Sequence, residues 1–139
     1  MVQELNDVIL KEIVEIEETI RLLEEQSRFV LSENVIEMEG IVPKIAACNR
    51  NIAILEMKRK ELIKGESLSR IVALSGNMEL DSNYRKITAL VSKAANVKDL
   101  NVDLLKQRLN FTNKLLLVLN PDRTSKIYNS YGKMKDSLR

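Results

Sequence analysis

Apolar residues return along this chain at alternating steps of four and three. Between Leu5 and Val30 the stripe is Ile9, Ile13, Ile16, Ile20, Leu23 and Val30, with Ser27 in register. That spacing belongs to a helix that buries one side along its whole length. The remaining positions are crowded with Glu and other polar groups, so only one side can be covered. A helix of about 26 residues is roughly 39 Å long and needs partners of comparable length.

The rest of the chain supplies them. A second stripe runs Met38, Ile41, Ile45, Cys48, Ile52, Leu55, Arg59 and Leu62; a third runs Tyr84, Ile87, Leu90, Ala94, Val97, Asn101, Leu104, Arg108, Phe111, Leu115 and Val118. The expected fold is all-α: an antiparallel bundle of three long helices with a short connector helix and a mobile amphipathic C-terminal tail. Helices are expected over residues 3–31, 34–64, 67–75 and 81–119, with the bundle occupying 1–120 and the tail 121–139.

The punctuation agrees with these limits. Asn34 as N-cap and Glu37 three residues on make a capping-box-like pair. Cations at Lys58, Arg59, Lys60 and Lys64 suit a helix C-terminus, and Gly65 suits the position after it. Asp81 or Ser82 can cap the third long helix, and Pro121 stops it. Pro43 interrupts the second stripe, because its ring displaces the carbonyl of Glu39 and it has no N–H to donate; either a kink near Gly40–Pro43 or a fresh start at Pro43 follows. Asn101 either sets register from within the seam or faces solvent.

Charge adds an orientation. The chain carries +2 overall, but residues 1–40 hold 11 acidic against 3 basic side chains, and the remainder is correspondingly basic. A hairpin turning about Ser32 and Glu33 brings Lys58–Lys64 beside Glu4 and Asp7, and Arg50 near Glu15. Exposed pairs contribute only about 0–1 kcal/mol each, so they select register more than they stabilise. Buried Leu and Ile, at about 1.5–3 kcal/mol each, hold the hairpin together.

From Leu100 onward the apolar face widens, as Leu105, Leu109, Leu116 and Leu119 form a second stripe beside the first. Either the two stripes face the two helices of the hairpin, or part of the second lies open as a groove for an amphipathic helix of another chain. The tail from Pro121 is basic, and its Ile127, Tyr131, Met134 and Leu138 fall at helical spacing. Tyr128 and Tyr131 have the apolar body and polar tip favoured in interface anchors.

Candidate chemistry is sparse. There is no histidine, so the commonest general base and transition-metal ligand is missing, as are Walker A, GxGxxG, CxxC and nucleophile-elbow patterns. Glu12, Glu15 and Glu18 read as a solvated face, and the lone Cys48 as a small core residue. No enzyme, cofactor, metal or nucleic-acid partner is expected. The N-terminus has neither a basic nor a long apolar signal-like segment, and the longest apolar run, Leu115–Leu119, is far too short for a bilayer. A cytoplasmic protein is expected.

The order of elements resembles a known family. An acidic long helix, the turn Leu31-Ser32-Glu33-Asn34, a second helix with Lys44 and Arg59, a short connector, a third helix through Asn101 to Leu115-Leu116-Leu117, and Tyr128-Asn-Ser-Tyr-Gly132 together resemble FlgN-type flagellar export chaperones. Asn129 stands where the tail element of that family often carries an acid. The resemblance implies a cytosolic chaperone that binds C-terminal helical segments of unassembled hook–filament junction proteins and brings them to the type III export gate without consuming ATP. It places substrate binding on Leu105, Leu109, Phe111, Leu116 and Leu119, and export-gate contact or a groove lid on Tyr128, Tyr131 and Gly132. A self-associating coiled-coil adaptor and a helical chaperone for other flagellar subunits are the alternatives, with a homo-oligomer compatible with each.

Overall fold

The structure, a computed structural model, describes residues 1–119, and these are all-helical. Four helices follow in order: α1 Val2–Leu31, α2 Val35–Ile63, α3 Leu68–Ser75 and α4 Met78–Leu119. Two compact units divide the chain. One is Met1–Asn101; the other begins at Val102 and contains the C-terminal part of α4.

In the first unit α1 and α2 form an antiparallel hairpin. Glu12 of α1 meets Arg59 of α2 at 3.0 Å and Glu15 meets Asn51 at 3.3 Å, while Leu22 shares a cluster with Ile41 and Cys48. Residue numbers thus fall on one helix as they rise on the other. The turn is short because Asn34 Oδ1 accepts from the Glu37 N–H at 3.2 Å and starts α2 at once, with Glu33 in the left-handed region at φ 58°. α2 then continues through Pro43 to Ile63 as one helix, which decides against a fresh start. It ends on two left-handed residues, Lys64 at φ 49° and Gly65 at φ 81°.

α4 starts at Met78, three residues before the expected Asp81. Its cap is Asn77, whose Oδ1 accepts from the Leu80 N–H at 2.8 Å. Asp81 therefore lies within the first turn, where it is favoured by the helix dipole and pairs with Arg85 at 2.9 Å. Asn83 of α4 donates to Asn6 of α1 at 2.7 Å, and Asn101 reaches Leu23 and Gln26 of α1. These contacts advance together, so within this unit α4 runs in the direction of α1.

The core is built on α1. Leu5, Ile9, Ile13, Ile16 and Ile20 are buried together with Ile63, Val72, Leu80 and Ile87 from the other three helices. The burial of Leu22, Thr19 and Glu12 as well shows that α1 is covered on more than the single stripe of its heptads.

Two polar seam positions carry specificity. Asn101, 2% exposed, donates to the Leu23 carbonyl at 2.8 Å and to Gln26 Oε1 at 2.9 Å, and accepts from the Ser27 hydroxyl. It is a fully satisfied buried amide and not a solvent-facing one. Ser27, the one polar residue in the α1 stripe, is its partner.

Glu12 departs from the solvated-face expectation. It is 3% exposed and bonded to Arg59, whereas Glu18 stays half-exposed and pairs with Arg21 on its own helix. This ion pair crosses the hairpin, in the register that sets the end of α2 beside the start of α1. Arg59 reaches Glu12 because it occupies the α2 seam. Burial pushes the Glu12 carboxyl above its ordinary range, against the opposing pull of the Arg59 guanidinium. Burial likewise pushes the Cys48 thiol up, as suits a small core side chain.

Candidate partner-binding surface

The described part of the second unit is one helical face. Beyond Asn101 the third stripe leaves the interior: Phe111 is 62% exposed, and Leu115 and Val118 are exposed with it. Leu105 and Leu109 are each 39% exposed, Leu119 is 71% exposed, and Leu116 is half-buried. Leu105, Leu109 and Leu116 share one stripe at helical spacing, with Phe111, Leu115 and Val118 on the adjoining one. Together these stripes cover about half the circumference of α4 over roughly 21 Å.

The local sequence explains why this surface is open. Leu115-Leu116-Leu117-Val118-Leu119 places five apolar side chains on every side of the helix. One packing partner covers a single stripe, so part of such a run stays exposed unless further partners arrive. Thr112 donates back to the Arg108 carbonyl at 3.0 Å. Asn113, one turn after Leu109, is 8% exposed, and its Oδ1 accepts no hydrogen bond. Asn113 was not singled out by spacing, because it lies just beyond the edge of the Leu105, Leu109 and Leu116 stripe.

All five residues expected to bind substrate thus lie on one continuous helix, four exposed and one half-buried. Leu115, Leu117 and Val118 are the surface residues that seam counting missed, because it assigned Leu115 and Val118 to the interior. The run of five apolar residues was the available signal. Tyr128, Tyr131 and Gly132 lie outside the described residues.

Among the described residues no group of three Asp, Glu or Cys side chains converges as a metal site requires. No described helix is long and apolar enough to cross a membrane. What α4 offers chemically is apolar contact area on a helix, the kind of surface that takes another helix.

A family profile described as FlgN protein matches residues 1–136. The chain belongs to the FlgN family. That match spans all four helices and the exposed stretch of α4. FlgN is a chaperone family, which suits a helical chain with an exposed apolar stretch on α4. No curated protein and no solved structure matches this FlgN-family chain.

Proposed function

We propose that this chain is a cytoplasmic export chaperone that binds C-terminal helical segments of unassembled flagellar hook–filament junction proteins and delivers them to the type III export gate. The observation that carries this reading is the open apolar face at Leu105, Leu109, Phe111, Leu116 and Leu119. In water that face favours association with any amphipathic helix, each fully covered Leu or Phe contributing about 1.5–3 kcal/mol. Family membership supplies the flagellar context.

The same reading treats the three long helices as an antiparallel bundle in residues 1–120 and residues 121–139 as a basic, amphipathic tail. Tyr128, Tyr131 and Gly132 serve it as groove cover in the empty chaperone or as export-gate contact once a substrate has displaced them. Work at the gate is supplied elsewhere; the chaperone needs no cofactor.

Co-purification with hook–filament junction proteins tests the proposal, using the wild-type chain, Leu105→Glu and Leu116→Glu. Capture by the wild type and its loss in both variants is expected. Equal capture by all three, or none by the wild type, refutes the assignment of this face to substrate. Deleting residues 122–139 tests the tail: unchanged affinity for both junction-protein peptides and the gate's cytosolic domain refutes its role. A tight oligomer by light scattering that survives both Glu substitutions favours the self-associating adaptor.

A further inference from the structure

A second concave surface lies wholly within the first unit. A cleft of about 470 Å³ opens between α2 and α4, with Glu12 and Ile16 of α1 as its buried floor. Its walls follow helical spacing, Ile52, Glu56 and Arg59 on α2 and Tyr84, Ile87 and Val91 on α4. Val91 on its rim is 53% exposed. A trough walled by two helices and extending about two turns along them takes the knobs of a third helix.

The middle of this trough is not apolar. Arg59 donates through Nε to Glu12 at 3.0 Å, and its Nη2 stands 4.0 Å from Glu56, too far for a hydrogen bond. Its side chain is only 19% exposed, and among the described residues its one hydrogen bond is the Nε bond to Glu12. A purely apolar occupant would seal its terminal guanidinium donors away from water without a partner. Glu12 and Glu56 are already balanced by Arg59 and by Lys60, which pairs with Glu56 at 3.2 Å, so a carboxylate would add a charge with no cation of its own. An amide fits both sides, with its carbonyl accepting from Arg59 and its NH₂ donating towards Glu56.

We propose that the α2–α4 cleft is a second seat for the partner helix, and that it selects a helix carrying a Gln or Asn within its apolar stripe. This rests on the chaperone reading and gives it a specificity element. The α4 stripe beyond Asn101 provides apolar contact area without a polar check on its partner; Arg59 provides that check, since an all-apolar helix leaves its donors stranded.

Fluorescence anisotropy tests this with labelled C-terminal peptides of a hook–filament junction protein, used as they are and with the Gln and Asn residues of the apolar stripe replaced by Leu. Val91→Glu is a rim substitution that leaves the core intact, which an unchanged thermal melt verifies. The unmodified peptide is expected to bind wild type and to weaken about tenfold or more on Val91→Glu. The Leu-substituted peptide is expected to bind wild type about tenfold more weakly and to regain affinity for Glu12→Leu/Arg59→Met, whose cleft floor is apolar. Equal binding of the unmodified peptide to wild type and Val91→Glu overturns the seat alone. Equal binding of both peptides to wild type overturns the amide requirement. No binding by the wild type overturns the chaperone reading and the seat with it.

Discussion

Arg59→Met removes the guanidinium from the hairpin while leaving most of the aliphatic stem. Glu12, 3% exposed, is then a buried carboxylate with no cation beside it. Breaking one side of a buried pair costs about 3–5 kcal/mol. Protonation limits that cost, because Glu12 can take up a proton instead of remaining charged. From the ordinary value of 4.5, that uptake costs about 3.4 kcal/mol at pH 7 and about 0.7 kcal/mol at pH 5. Because the wild-type carboxyl is itself raised on folding, these are upper limits: the expected destabilisation is about 1–3 kcal/mol at pH 7, shrinking below about 0.7 kcal/mol at pH 5. Urea unfolding followed by circular dichroism at the two pH values reads both numbers, with the denaturant slope checked for constancy. Glu12→Leu/Arg59→Met, which removes both charges, is expected to equal or exceed wild-type stability. A loss below 1 kcal/mol at pH 7, or one independent of pH, would show that Glu12 is not a buried charge held by Arg59.

Three further outcomes are expected. Because the Glu12 pKa is raised by folding, the carboxyl adds most stability below about pH 4.5 and loses it as pH rises through the folded value; Glu12→Gln should gain on wild type over that rise, and a constant gap in unfolding free energy would contradict it. Asn101→Ala takes two donors and an acceptor from a buried seam and leaves Gln26 Oε1 without that partner, while Ser27 keeps its bond to the Leu23 carbonyl; it should cost about 1–3 kcal/mol by chemical denaturation, whereas a loss under about 0.5 kcal/mol would mean that the buried amide is dispensable. Asn77→Ala removes the cap that starts α4 at Met78 and should cost about 1 kcal/mol, with hydrogen exchange accelerated at Leu80; unchanged exchange there would place the helix start elsewhere.

Much of the first unit was legible because heptad spacing and capping chemistry are local. Ile9, Ile13, Ile16, Ile20, Leu23 and Val30 are buried as their spacing required, and Asn34 caps α2 as Asn34-Val-Ile-Glu37 suggested. The start of α4 was misread because Asn77, Asp81 and Ser82 are all competent caps, and their side-chain chemistry alone does not rank them. Glu12 was misread for a different reason. Three glutamates at steps of three look alike along the chain, and only the packing of α2 separates the buried one facing Arg59 from the half-buried Glu15 and Glu18.

The candidate surface divides along the same line. That Leu105, Leu109, Phe111, Leu116 and Leu119 share the last long helix follows from periodicity, and that five consecutive apolar residues exceed what one stripe can bury follows from helix geometry. Which of them remain exposed does not, since exposure is a property of neighbours. Leu115 and Val118 continue the spacing of Ile87 and Leu90, yet they are open while Ile87 is closed. The α2–α4 cleft and the place of Arg59 within it belong wholly to the tertiary structure, for they depend on how three helices are spaced around a side chain. Sequence by itself determined the helices, their polarity and the reserve of apolar surface, all set by contacts within a few residues along the chain. Which polar groups were buried, and where a trough opened, was decided by contacts between residues far apart in number, whose distances no local pattern contains.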